Sequence, residues 1–292
     1  MTPSVKAYIF LTFTVLFWSG NVIFARLLHA DISAIALATG RWWLATVFLL
    51  PFAWRYLKKD LKLISKNIGY ISLISFMGIS LFNTLLYQAA HTTTSNNIAL
   101  IQTTMPAMIV LLAVIFLKEQ IRPMALLGVV ISISGAMMVV ARGDLNVLLS
   151  WDFAQGDLWM LVANLVYAIY SIMLKNRPDI HPMSFLGATF FIGSALLLPL
   201  FLWDITNNPL PEMSTTLVSG FFYIAIFPSI LSYLFWNRGV ALIGASLAGF
   251  FICLIPIFTA ILAALVLDEA LSWYHLLGML LIMAGFVFFQ RR

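Results

Sequence analysis

Charge is scarce in this sequence. Sixteen Lys and Arg and eleven Asp and Glu make up 9% of its 292 residues, where soluble domains carry about 25%. That is too little polar surface to cover a water-soluble globule. Cysteine is scarcer still. Cys253 is alone, which excludes an internal disulfide and any multi-cysteine metal site. Carboxylates are missing from the middle of every long apolar run, so a strongly ion-coupled carrier has no obvious seat for its ion. No G-x-S-x-G turn, H-E-x-x-H pair, Walker loop, paired aspartate run or cluster of His and Cys occurs. A catalytic reading therefore has no support, and no cofactor or metal is implied. The basic residues are not gathered into one face, so no nucleic-acid partner is expected.

What is abundant is apolar length. Hydrophobic residues make up 62% of the chain and the mean hydropathy is +1.01. A helix that spans a bilayer needs about 20 mostly apolar residues. Ten such runs can be placed, at 7–28, 33–54, 68–88, 95–117, 124–141, 157–174, 183–203, 215–236, 245–267 and 272–290. The first follows Lys6 as a signal peptide would, but its apolar core is long and no clean small-x-small cleavage site follows. Little chain remains outside the bilayer, so no soluble domain is expected.

The runs are duplicated. Ser95 to Glu119 has Pro106 at its middle and a Leu-Lys-Glu ending; Ala245 to Glu269, 150 residues later, has Pro256 at its middle and a Leu-Asp-Glu ending. At that offset Leu112 falls on Leu262, Gly128 on Gly278 and Gly135 on Gly285. A fixed internal period is the signature of a repeated structural unit. Residues 1–141 form one five-span repeat and 157–292 the other, joined by an external linker at 142–156. Five is odd, so the second repeat enters the membrane from the opposite side. The expected fold is an all-α membrane protein of ten transmembrane helices, in two inverted five-helix repeats around a central cavity, an architecture suited to transport by alternating access. Alternate connections place 13 of the 16 basic residues on one side, among them Lys58, Lys59, Lys62, Lys66, Arg177 and Arg238. The positive-inside rule then makes both termini cytoplasmic.

Several polar and aromatic residues interrupt the apolar runs and are candidates for lining a pathway. Trp18 and Asn21 lie at the middle of the first run. Asn164 and Tyr167, with Ser171, share one face of the sixth, where they contact either substrate or a neighbouring helix. Arg41 sits eight residues into the second run, about 12 Å deep. It either receives a substrate carboxylate, steadies a neighbouring helix or snorkels to the headgroups. Asn83 and Tyr87 form a polar edge on the third run, as Ser232 and Trp236 do on the eighth, either lining the two mouths of one pathway or anchoring at the interface. Asn97 and Gln102 precede Pro106. Proline removes an amide donor and frees the carbonyl four residues earlier, so Pro106 and Pro256 mark kinks around a central site, hinges, or simple packing kinks. The small residues of the fifth and tenth runs suit close helix packing, with a homodimer contact as a further use.

Trp18-Ser19-Gly20-Asn21, the Pro followed by Leu-x-Glu in runs four and nine, and the Gly-x6-Gly of runs five and ten together resemble the drug/metabolite transporter superfamily in its EamA-like branch. The resemblance covers essentially the whole chain, and departs from the family pattern where Ser19 replaces the glycine that often follows the tryptophan. It implies ten helices, a cavity lined by helices 1, 3, 4, 6, 8 and 9, a small-molecule substrate and a bacterial inner membrane setting, with Glu119 and Glu269 as structural glutamates. The expected activity is export of small amphipathic metabolites, amino acids or related compounds. Efflux of cationic aromatic drugs is the alternative, with a membrane-embedded enzyme or scaffold behind it.

Overall fold

The computed structural model describes residues 2–28, 31–93, 98, 101–118, 120, 122–140, 143, 144, 146, 155–267 and 272–290. Ten helical segments cross the molecule, and no strand occurs among the described residues. They are α1 (Pro3–Leu28), α2 (Ala34–Lys66), α3 (Ile68–Thr92), α4 (Met105–Leu117), α5 (Pro123–Val140), α6 (Gln155–Asn176), α7 (Pro182–Asn207), α8 (Thr215–Ile243), α9 (245–267) and α10 (Trp273–Gln290). By length and composition seven of them can cross a membrane, and α4, α5 and α10 hold the shorter apolar stretches. Large apolar side chains such as Phe52, Leu111, Phe116, Leu202, Leu265 and Leu280 face outward. Lipid, not water, is the solvent those faces fit.

The second apolar run ends at 54, but its helix does not. Helix α2 runs unbroken for 33 residues, about 50 Å, which overshoots a hydrocarbon core of about 30 Å. Its basic last turns therefore stand clear of the bilayer. There Asp60 accepts the His181 N–H at 2.9 Å and the Tyr56 and His181 rings stack at 3.8 Å, which ties the overhang to the start of α7.

Contacts between the halves establish how they are related. Helix α1 packs on α8 and α9, and reciprocally α6 packs on α3 and α4; α2 packs on α7 and α5 on α10. Residues at matching repeat positions touch each other across the interface. Ser132 donates to the Ile282 carbonyl at 3.2 Å, and the Thr46 and Ser194 hydroxyls lie 3.0 Å apart. Trp42 meets Phe190 edge-on, and Asn83 Nδ2 donates to the Tyr233 hydroxyl at 3.4 Å. Equivalent residues can meet only on an axis relating the two copies. On α5 and α10 the close approaches run in opposite order, Gly128 against Gly285 and Gly135 against Gly278, so these helices are antiparallel and the second half is inverted. The lack of side chains there is required. A Cβ on Gly285 would lie 2.1 Å from Ser132 Oγ and 2.5 Å from the Gly128 carbonyl. The small-residue stripes of α5 and α10 are thus spent on each other within one chain.

Candidate functional site

Both broken helices are broken at repeat-matched places. The helical ladder is interrupted at Thr103 and Thr104 just before Pro106 opens α4. In α9 the backbone tightens into a 3₁₀ turn at Phe251–Leu254, just before Pro256. Loosened carbonyls in lipid must find donors elsewhere. Asn164 Nδ2 on α6 donates to the Ile101 carbonyl at 2.6 Å, and Ser19 Oγ on α1 donates to the Ile255 carbonyl at 3.1 Å. Each half thus braces the break in the other.

A second matched irregularity lies in α3 and α8, where one turn widens to π geometry at Phe76–Leu81 and at Ile226–Leu231. Pro228 has no N–H, which orphans the carbonyl of Ile224; Ser229 Oγ donates to it at 2.7 Å. In α3, Asn83 Nδ2 donates to the carbonyls of Gly78 and Ile79 at 3.2 and 3.0 Å, and the Tyr233 hydroxyl also donates to Gly78. Wide turns of this kind turn backbone acceptors toward the centre of the molecule.

Arg41 occupies that centre, with 1% of its surface exposed. Snorkelling to the headgroups is thereby excluded. Its Nε donates to Ser229 Oγ at 2.6 Å, and Nη1 to Asn83 Oδ1, Tyr87 Oη and Asn21 Oδ1 at 2.9, 2.7 and 3.3 Å. Nη2 donates to the Pro228 carbonyl at 3.1 Å, and the guanidinium carbon lies 4.8 Å from the Trp42 ring centre. All of these partners are uncharged. Nη2 carries two hydrogens, and only one is engaged.

Beside the guanidinium lies a narrow hollow of about 20 Å³, room for about one water. Trp18, Asn21, Arg41, Asn83, Gln102 and Tyr167 line it, with apolar Phe82, Met105, Ile252 and Ile255. Trp18 and Tyr167, at matching places in α1 and α6, stand edge to face at 5.4 Å, and Trp18 Nε1 donates to the Pro228 carbonyl at 3.2 Å. Among the described residues around this point five buried polar atoms have no partner: Tyr167 Oη, Gln102 Oε1, Asn164 Oδ1, Trp42 Nε1 and Trp236 Nε1. Leaving such atoms unpaired costs about 1–3 kcal/mol each. Of these residues Tyr167 and Gln102 line the hollow beside Arg41, and Asn164, Trp42 and Trp236 lie outside its lining.

Not every expected residue reaches the hollow. Tyr87 stands behind Arg41, donating to Asn21 Oδ1 at 3.0 Å. Trp236 lies one layer away, its ring 5.2 Å from Trp18 and 5.7 Å from Tyr167. Ser232 serves the α1–α8 contact, donating to the carbonyls of Phe227 at 2.9 Å and Thr14 at 3.4 Å. Asn97, Glu119 and Glu269 lie outside the described residues. On the eighth helix it is Tyr233, Ser229 and the Pro228 carbonyl, more than Ser232 and Trp236, that meet Arg41 and Asn83. Tyr233 had a findable signal, since it falls on Asn83 at the repeat offset.

Wider pockets open at the surface. One, of about 510 Å³, gathers Asp31, Ser33, Gln88, His91, Asp204 and Asn208; another, of about 290 Å³, gathers Arg177, His181, Asn237 and Arg238, with a third of about 400 Å³ beside Lys175 and Asp179. Each collects connections that the span order assigns to a single side of the membrane. The hollow thus lies between a mouth on one face and a mouth on the other.

The EamA-like transporter family model matches the chain twice, over residues 5–141 and 154–290. The chain belongs to the EamA-like transporter family. It is a multi-pass membrane transporter of the drug/metabolite transporter superfamily. Among similar proteins is one from Archaeoglobus fulgidus named an uncharacterised transporter, 26% identical over 96% of both chains. The uncharacterised transporter YyaM of Bacillus subtilis is 27% identical over 78% of this chain and 74% of its own. A solved crystal structure superposes with a TM-score of 0.75 at 15% identity, covering 98% of this chain and 95% of that one, a likeness of fold. The EamA-like repeat thus accounts for the doubled helices, the matched breaks and the central hollow alike.

Proposed function

We propose that this EamA-like transporter exports small amphipathic carboxylates, amino acids or closely related compounds, across the plasma (inner) membrane by alternating access, with both termini cytoplasmic. The observation that carries this reading is Arg41: a buried cation beside a central hollow, held by neutral groups and keeping one N–H spare. A carboxylate supplies the missing charge and takes the fork of a guanidinium well. Tyr167 Oη and Gln102 Oε1 are a donor and an acceptor for an amino group or polar side chain. Phe82, Met105 and Ile255 suit its apolar part. An organic cation would find aromatic faces at Trp18, Tyr167 and Trp236, but it would also meet Arg41, so drug efflux ranks second. The hollow is too small for any metabolite as it stands, so the two halves must part to load it.

The test is counterflow. Purified protein in liposomes preloaded with unlabelled amino acids should accumulate labelled amino acid transiently and saturably. Linear, non-saturating entry of every amino acid tried would end the reading.

A further inference from the structure

Two buried tyrosine–asparagine pairs, lying beyond the lining of the hollow apart from Asn21, occupy matching positions in the two repeats. Toward one mouth, Tyr87 at the end of α3 donates to Asn21 on α1 at 3.0 Å. Toward the other, Tyr170 on α6 donates to Asn237 at the end of α8 at 2.8 Å. Tyr87 falls on Asn237 at the 150-residue offset, and the 149-residue offset between the starts of the two family matches sets Trp18 on Tyr167 and Asn21 on Tyr170. The residue types are exchanged between the pairs, but each pair joins the same two helices of the fold. Both bonds are made at once, and both are buried.

The two pairs differ in one respect. Arg41 Nη1 donates to both members of the first, Tyr87 Oη and Asn21 Oδ1. Among the described residues no cation donates to either member of the second, although Arg177 lies within electrostatic reach of Tyr170. The repeat offset of Leu49-Leu50-Pro51 and Leu197-Leu198-Pro199 places Thr189 opposite Arg41, and the Thr189 hydroxyl donates to Phe185 and Leu186 carbonyls of its own helix.

We infer that these pairs are the two gates of the pathway, and that a substrate carboxylate opens the Asn21–Tyr87 gate by drawing Arg41 away from it. An end-on carboxylate takes two parallel N–H groups, one from each terminal nitrogen. Nη2 has one to spare, but the two hydrogens of Nη1 already serve Asn83, Tyr87 and Asn21. Binding therefore strips the Asn21–Tyr87 pair of its hydrogen-bonded cation, while the Tyr170–Asn237 pair, which Arg41 does not touch, is unaffected. Loading selects the conformation open on the side away from the termini, the direction that export requires. The trigger rests on the carboxylate reading proposed above; the assignment of the gates does not.

The experiment uses the full chain with Cys253→Ser and one reporter in the hollow, Val22→Cys, labelled by a membrane-impermeant thiol reagent in right-side-out and in inverted vesicles. Tyr87→Phe should speed labelling from the side away from the termini, and Tyr170→Phe from the terminal side, each by roughly two- to tenfold, the worth of one hydrogen bond. With both pairs intact, leucine should speed labelling from the far side and leucine methyl ester should not. A thermal shift with leucine is measured in parallel. Variants that speed labelling from the same side, or from neither, overturn the gates. A leucine that binds but leaves the rates unchanged, or an ester that acts like the acid, overturns the trigger alone. If neither ligand binds, the trigger falls together with the carboxylate reading, while the two ligand-free variants still decide the gates.

Discussion

Arg41 is held only by uncharged partners, and that makes its role separable from its support of the fold. Arg41→Gln should weaken binding of a free amino acid by roughly 10- to 100-fold, the worth of a charge-assisted hydrogen bond or two. Binding of the methyl ester should change far less, and calorimetry on both ligands checks it; equal losses for acid and ester would make the arginine a scaffold residue. Tyr167 provides the opposite case. Its hydroxyl is buried and unpartnered, so Tyr167→Phe should leave the empty protein as stable as before or steadier by about 1 kcal/mol, while amino-acid affinity falls. A lowered melting temperature together with unchanged affinity would refute that. Of the residues around the hollow, Trp18, Asn21, Arg41, Asn83, Gln102 and Tyr167 were legible in the sequence, because polar groups inside apolar runs are costly and stand out. The Pro228 carbonyl, and the reach of Ser229 to Arg41, were not. Their part depends on a widened turn, which leaves no mark on hydropathy.

At the scale of the helix, irregular turns and side-chain-free faces do different work. Gly285 has the Gly128 carbonyl and Ser132 pressed against it, so Gly285→Ala should destabilise by about 1–3 kcal/mol through overpacking. Gly69→Ala, where an added Cβ meets nothing within 4 Å, is the matched control. Thermal melts in one detergent compare them, and equal melting points would contradict the packing described for α5 and α10. Pro106 sits where α4 restarts after its break. Pro106→Ala restores an amide donor and should slow transport while stability holds or rises, as a counterflow rate beside a melt would record. The prolines announced the breaks in α4 and α9 because a missing N–H is a local property. The unbroken passage of α2 beyond the membrane was not legible, since a basic run marks a change of solvent and says nothing of where a helix ends.

At the scale of the molecule, the inverted halves set sidedness. In the Cys253→Ser background, Ser214→Cys, in the α7–α8 connection, should react with an impermeant reagent in intact cells. Lys59→Cys, on the overhang of α2, should react only after permeabilisation. The reverse pattern would invert the proposed orientation. The sequence alone determined that this chain is a doubled, inverted set of ten helices in lipid, because hydrophobic length, odd span number and a 150-residue period are properties of residue order. Only the tertiary structure decided which polar groups meet. The axis brings Asn83 against Tyr233 and Thr46 against Ser194 from opposite ends of the chain. The widened turn of α8 then aims the Pro228 carbonyl and the Ser229 hydroxyl at one buried arginine, and that of α3 aims the Gly78 carbonyl at Tyr233. Such meetings depend on helix rotation and crossing, which are set by packing between the copies, and a linear pattern does not carry them.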